Sequence, residues 1–274
     1  MKTQGDRPLR WHKVPRGELP LSRINLITLF APSPDPYLVA QCAIPAEPLF
    51  RAVDRERERS GRPITLTTAV IRLLAAAIDR HPEFNCVVLG GDVYQLEDIA
   101  FTVPYLIPGD ARELTNLIVE NPHRKSLDRI HDECDALMLS ARTADAGPTR
   151  RRSTWLPALI IKSGLYRLVG EKRAFRILYR RGLSTNLVLT NASHRGAGRF
   201  VITKSAAQIL RVFTRFYLHG VDLRPVVEGD RIEARKVIPL SIALDHRLID
   251  GIHLNEFLKT VEELATIGLD ADDR

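Results

Sequence analysis

Strand-like and helix-like segments follow one another here without a regular strand-helix-strand repeat, which predicts an α+β domain rather than a doubly wound parallel sheet. Two hairpin signals, Gly90-Gly91 and Glu228-Gly229-Asp230, lie between β-rich runs and argue for a mixed, mainly antiparallel sheet. Amphipathic helical periods before, between and after those runs supply the helices that pack on it.

Residues 1–23 are polar and rich in proline, and 24–48 are apolar but broken by Pro32, Pro34, Pro36, Pro45 and Pro48, which argues against a long helix. Tyr37 to Ile44 reads as a strand, and Pro48 to Arg59 as a surface helix ended by Ser60-Gly61-Arg62-Pro63. A second helix over 66–80, capped by Thr65 or Thr67, carries Val70, Ile71, Leu73, Leu74, Ala77 and Ile78 and stops before His81-Pro82. A hairpin (85–89 and 93–96), a strand near 99–103, and a helix from Ser126 to about Arg142 follow. Further strands are expected at 186–190, 212–218, 226–227 and 232–244, and a closing helix at about 252–267.

The chain has 274 residues, 45% hydrophobic and 27% charged, enough to bury a core, and nothing in it reads as a linker. One domain over 1–274 is therefore expected, with 1–20 as an extended arm. Three dispersed cysteines, Cys42, Cys86 and Cys134, fit neither a disulfide framework nor a zinc site. No secretory leader and no run of eighteen uncharged apolar residues is present, which suggests a cytoplasmic protein without a tightly bound metal or other cofactor.

The net charge is +7, yet residues 149–182 alone hold ten basic side chains and one acid, Glu171, so the remainder is slightly acidic. In this basic amphipathic insertion the cations, Arg173, Arg176, Arg180 and Arg181 among them, alternate with aliphatic and aromatic residues. That pattern suits one or two helices facing an anionic partner: coenzyme A phosphates, an acidic acyl-carrier protein, or, less readily, a membrane surface. A helix with a merely solvated basic face is the plain alternative. No recognition element for nucleic acid accompanies the charge, so nucleic-acid binding is not expected.

The chemistry concentrates in Leu244-Asp245-His246-Arg247-Leu248-Ile249-Asp250-Gly251, at the junction of a strand and a helix. Histidine titrates near neutrality, so His246 is the natural general base, and Asp250 can order the loop by pairing with an arginine. His131 and Asp135 have the same spacing but fall mid-helix, where a solvated face is expected. His253 and His194 are read the same way.

The string D-H-R-L-I-D-G resembles the catalytic domain of the 2-oxoacid dehydrogenase acyltransferases and, more distantly, chloramphenicol acetyltransferase, whose signature is H-x-x-x-D-G. Arg224-Pro225-Val226-Val227, Pro239-Leu240-Ser241-Ile242-Ala243-Leu244 and His81-Pro82-Glu83-Phe84-Asn85 are similar to other parts of that family, so the resemblance spans about residues 20–265. It implies the chloramphenicol acetyltransferase-like fold and acyl transfer from a CoA or carrier-protein thioester to a small acceptor. His246 would be the base, Gly251 part of the signature, and Asp250 would hold the loop with Arg23 as partner.

Thr190-Asn191 sits where the family has Ser-Asn, which makes Thr190 the oxyanion donor and Ser193 its rival. The resemblance further implies a homotrimer or a multiple of one, with the base and the hydroxyl coming from neighbouring subunits. The short N-terminal region suggests a stand-alone enzyme. A non-catalytic oligomeric scaffold and an acid–base catalyst acting on a carrier-bound intermediate are the two competing readings.

Overall fold

The structure, a computed structural model, describes residues 8–31, 36–106, 114–145, 170–180, 185–193, 201 and 214–267. The arm carries a strand, β1 (Trp11–Lys13), and a 3₁₀ turn at Arg16–Glu18. Helix α1 (Leu21–Leu29) follows; it begins after Pro20, ends before Pro32, and occupies a stretch where the scatter of prolines had predicted no long helix. Nine residues fit between the breakers.

Strand β2 (Tyr37–Pro45) runs into α2 (Ala46–Ser60), which closes on Gly61, at φ 67° in the left-handed region, with the Gly61 N–H donating to Arg57 O. Helix α3 (Leu66–Arg80) starts where the Thr65 hydroxyl accepts the Thr68 N–H at 3.2 Å, and stops at His81 before Pro82. Strands β3 (Cys86–Leu89) and β4 (Asp92–Leu96) form the expected hairpin, with Gly90 and Gly91 at φ 61° and 78°. Beyond them lie β5 (Ala100–Leu106), β6 (Leu114–Glu120), α4 (Leu127–Asp145), α5 (Glu171–Arg180), β7 (Leu187–Asn191), β8 (Thr214–Leu218), β9 (Asp222–Glu228), β10 (Arg231–Asp245) and α6 (Gly251–Ile267).

The main sheet has the order β2-β10-β8-β7-β5-β6, with β7 parallel to both β5 and β8 and the other pairs antiparallel. This is the mixed, mainly antiparallel α+β architecture expected from the sequence. A small antiparallel sheet, β1-β4-β3, stands apart. Period-2 alternation gives the main sheet two faces. Leu240, Ile242, Leu244, Phe216, Leu189 and Phe101 lie on the apolar face and are buried in the core with residues of α2, α3 and α6.

One expectation fails. His131 in α4 is buried rather than solvated, with Nε2 3.3 Å from Asp135. Its neighbours in the i, i+3, i+4 stripe, Leu127, Ile130 and Cys134, are buried too, and the broad apolar face of α4 takes the histidine in with them.

Phe257 of α6 stacks on Phe84 at 4.1 Å between centroids, fully buried. We expect Phe257→Ala to lower stability by about 3–5 kcal/mol through the cavity it leaves, read from the urea midpoint. An unchanged midpoint would mean the α6 contact is not part of the cooperative core.

Candidate functional site

Strand β10 ends at Asp245, and the chain turns before α6 begins. Two features hold this turn. Leu248 and Ile249 are buried, and their N–H groups donate to Asp245 O at 3.0 and 3.2 Å. Arg247, equally buried, donates from Nε and Nη2 to both oxygens of Asp245 at 2.9–3.1 and 2.5 Å. A desolvated ion pair persists only with such geometry, because each charge alone would be costly to bury.

His246 sits between those partners and is half-buried. Its N–H donates to Pro36 O at 2.7 Å, so the edge of β2 holds its backbone. Its Nδ1 lies 2.8 Å from Ile249 O. A carbonyl can only accept, so in the neutral ring Nδ1 carries the hydrogen and Nε2 keeps the lone pair. The ring lies against Phe30, at 5.4 Å between centroids, at the end of α1.

Asp250 caps α6, accepting the N–H groups of Ile252 and His253 on Oδ1 at 3.0 and 3.2 Å. His253 Nδ1 approaches the same oxygen at 2.7 Å, and Arg23 Nη2 donates to Oδ2 at 3.2 Å. The buried Arg23 also donates to Arg247 O at 3.4 Å, so α1 braces the turn at both ends. Partial burial alone would raise the Asp250 carboxyl; the hydrogen bonds from His253 and the charges of His253 and Arg23 outweigh it and hold the group below the usual value. His253, expected to be structural or solvated, is thus a direct partner of Asp250. Gly251 opens α6, and a Cβ added there would meet nothing within 4 Å among the described residues.

Thr190 lies elsewhere. It is half-buried near the end of β7, on the sheet face opposite the core residue Leu189, and its hydroxyl has no partner among the described residues. Cross-strand register aligns Thr190 with Tyr217, Tyr217 with Ser241, and Ser241 with Gln41, a row of polar side chains across four strands. Asn191 anchors the strand end by donating to the Thr67 hydroxyl at 2.7 Å. The rival donor, Ser193, gives its hydroxyl to Asn191 Oδ1 at 2.5 Å and its N–H to the same atom at 2.9 Å, so its proton is already committed.

His246 and Thr190 do not meet within the chain. His246 lies five residues beyond Ser241 and Thr190 two strands across, which is roughly 15 Å or more between them at ordinary strand spacing. Both would have to come within about 3 Å of one reacting group to share a step.

Arg173, Arg176 and Arg180 are exposed on α5, which packs on the small sheet, while Arg181 and residues 146–169 lie outside the described residues. Burial pushes the thiols of Cys42, Cys86 and Cys134 up to about 12, so none of them is a ready thiolate nucleophile.

Comparison with known proteins bears on the same segment. Residues 198–266 match the sequence model of the 2-oxoacid dehydrogenases acyltransferase catalytic domain. The mitochondrial dihydrolipoyllysine-residue succinyltransferase component of the Saccharomyces cerevisiae 2-oxoglutarate dehydrogenase complex is 30% identical over 119 residues, 43% of this chain and 24% of that protein. The chain therefore spans about a quarter of that relative's length.

The structure of a probable dihydrolipoamide acetyltransferase from Listeria monocytogenes superposes over 98% of both chains, with a TM-score of 0.64 at 16% identity. The cubic core of a pyruvate dehydrogenase multienzyme complex gives 0.60 at 16% identity over 89% of this chain and 85% of that one. Chloramphenicol acetyltransferase gives 0.57 at 14% over 94% and 98%. The fold expected from the resemblance is the fold observed.

Two outcomes follow from the loop. Arg247→Met should cost about 3–5 kcal/mol, because it leaves Asp245 buried and uncompensated; a denaturant midpoint within error of wild type would show the pair to be dispensable. Because the folded state holds the Asp250 carboxyl low, its stabilisation is present above the ordinary carboxylate value near about pH 4 and is lost as pH falls through the depressed one. The stability gap between wild type and Asp250→Asn should therefore close as pH drops from about 6 to about 3. A gap that stays constant would remove Asp250 as the source.

Proposed function

We propose that this chain, whose residues 198–266 carry the catalytic-domain pattern of the 2-oxoacid dehydrogenase acyltransferases and whose backbone takes their fold, transfers an acyl group from a pantetheine thioester to a small acceptor. The observation that carries this reading is the fixed tautomer of His246. With Nδ1–H spent on the Ile249 carbonyl, Nε2 is the atom offered to a substrate. In the proposed step Nε2 takes the proton from the acceptor, whose lone pair attacks the thioester carbonyl. The carbonyl π electrons move onto oxygen, and that oxyanion accepts a hydrogen bond from the Thr190 hydroxyl. Collapse restores the carbonyl and expels the thiolate, which takes the proton back from Nε2.

Asp250 touches no reacting atom in this scheme. It is a positioning residue, joining the cap of α6 to Arg23 so that the turn presenting His246 keeps its shape. Thr190 is favoured over Ser193 because the Ser193 proton is held by Asn191.

The distance between His246 and Thr190 within one chain supports a site completed by a second copy, so that a closed homo-oligomer is the working unit. The surface supports the same assembly. Beyond Val237, β9 and the first half of β10 form a two-stranded ribbon on which Leu223, Val227 and Ile232 share one face by register and are 68–75% exposed. Such an apolar ribbon face is a liability in a monomer and an interface in an oligomer.

His246→Ala should cut acceptor-dependent thiol release by about 10²–10⁴ and Thr190→Ala by about 10²–10³, both with unchanged thermal melts. Full activity in His246→Ala ends the base assignment. Co-expressing the two inactive variants should restore about a quarter of the sites if each is shared between copies. Failure to restore any activity would mean that His246 and Thr190 are not paired across copies in one site. Ile232→Glu should shift the sedimentation coefficient to that of a monomer, and an intact oligomer would clear the ribbon of this role.

A further inference from the structure

The ten-residue helix α5 is divided sharply into two sides. Phe175 and Tyr179 are buried; Phe175 stacks on Trp11 of β1 at 5.7 Å. Glu171 accepts the Gly90 N–H at 2.8 Å, and Lys172 binds Asp92 at 2.9 Å while lying over Tyr94. Asp92 is shared with Lys13 at 3.0 Å. The sole acid of the helix and its one lysine are thus used in fastening it to the small sheet.

The outer side carries a line of three exposed arginines, Arg173, Arg176 and Arg180, at i, i+3 and i+7, with Ile177 48% exposed among them. No carboxylate among the described residues pairs with Arg173 or Arg176; Arg176 lies over the Trp11 ring. The line runs about 10 Å along the helix.

We propose that this face of α5 docks an acidic carrier protein that brings the acyl thioester on its pantetheine arm. The inference rests on the acyl-transfer reading and names the donor for it. A nucleotide's phosphates are gathered by donors lining a concave site, whereas these arginines stand in a line on the outer side of a helix. A bilayer needs an apolar helix face to bury, and here that face is already spent on Trp11. Single-stranded nucleic acid needs exposed aromatic platforms, and Phe175 and Tyr179 point inward. An arginine line around one exposed aliphatic residue matches the composition of a protein interface, with charge that steers an acidic partner.

The test uses the full oligomer and one acyl group that wild type accepts, presented both on coenzyme A and on an acidic phosphopantetheinylated carrier domain. Arg173→Gln/Arg176→Gln/Arg180→Gln should lower the ratio of kcat/KM for carrier over coenzyme A by about tenfold, the worth of three exposed ion pairs. The wild-type ratio should itself fall as salt rises. Should the triple variant loosen α5, Arg173→Glu alone, away from Trp11, should lower the ratio in the same direction.

An unmoved ratio, or an equal loss with both donors, overturns the proposal; the second result would assign the arginines to the nucleotide. Calorimetric titration of the unloaded carrier domain gives an answer independent of turnover. Carrier binding weakened by the substitutions keeps the docking face even if no donor is ever turned over, in which case it is acyl transfer that fails. Binding to phosphatidylserine vesicles or to oligo-uridine in place of the carrier also overturns it.

Discussion

The buried pair of Asp245 and Arg247 is the constraint on which the loop depends. Residues 245 and 247 are clamped to each other by a two-pronged contact, and Leu248 and Ile249 are pulled into the core behind them. His246, caught between, is left half-exposed, and its ring is steered by the Ile249 carbonyl that the same turn supplies. The energetic logic is one of penalties. Neither charge can leave its partner without remaining desolvated, so the turn has few alternatives.

Helix α1 extends that constraint outward. Arg23 spans from Arg247 O to Asp250, and Phe30 meets the His246 ring, so the beginning and the end of the chain close on one loop. Asp250 does three things at once: it caps α6, takes the Arg23 charge and binds His253. This division of labour leaves the histidine free of any carboxylate partner among the described residues, and it depends on a carbonyl for its tautomer.

The main sheet separates two kinds of surface. Its apolar side carries the helices; its other side carries the row Thr190, Tyr217, Ser241 and Gln41, set well away from His246 by plain strand geometry. A sheet cannot fold its own row back onto its own strand end, so chemistry needing both would be met between copies. Beside these two faces, the ribbon of β9 and β10 adds an exposed apolar one.

Much of this was legible in the chain itself. The hairpin glycines, the Thr65 cap, the helix end at His81-Pro82 and the turn at Glu228-Gly229-Asp230 before β10 are local signals, and their elements stand within a few residues of the expected bounds. The string from Asp245 to Gly251 announced itself by its residue types at a strand-to-helix junction. Other features were not legible, the strands β1 and β6 among them. Helix α1 is short and hemmed by prolines; His131 has the spacing of a surface pair yet is buried; and His253 has no motif that points to Asp250. Local patterns determine which residues are strand, helix and turn, because neighbours along the chain decide them. Which charges are desolvated, which hydroxyl is already bonded, and how far Thr190 stands from His246 were decided only by tertiary structure, because they depend on packing and register between segments far apart in sequence.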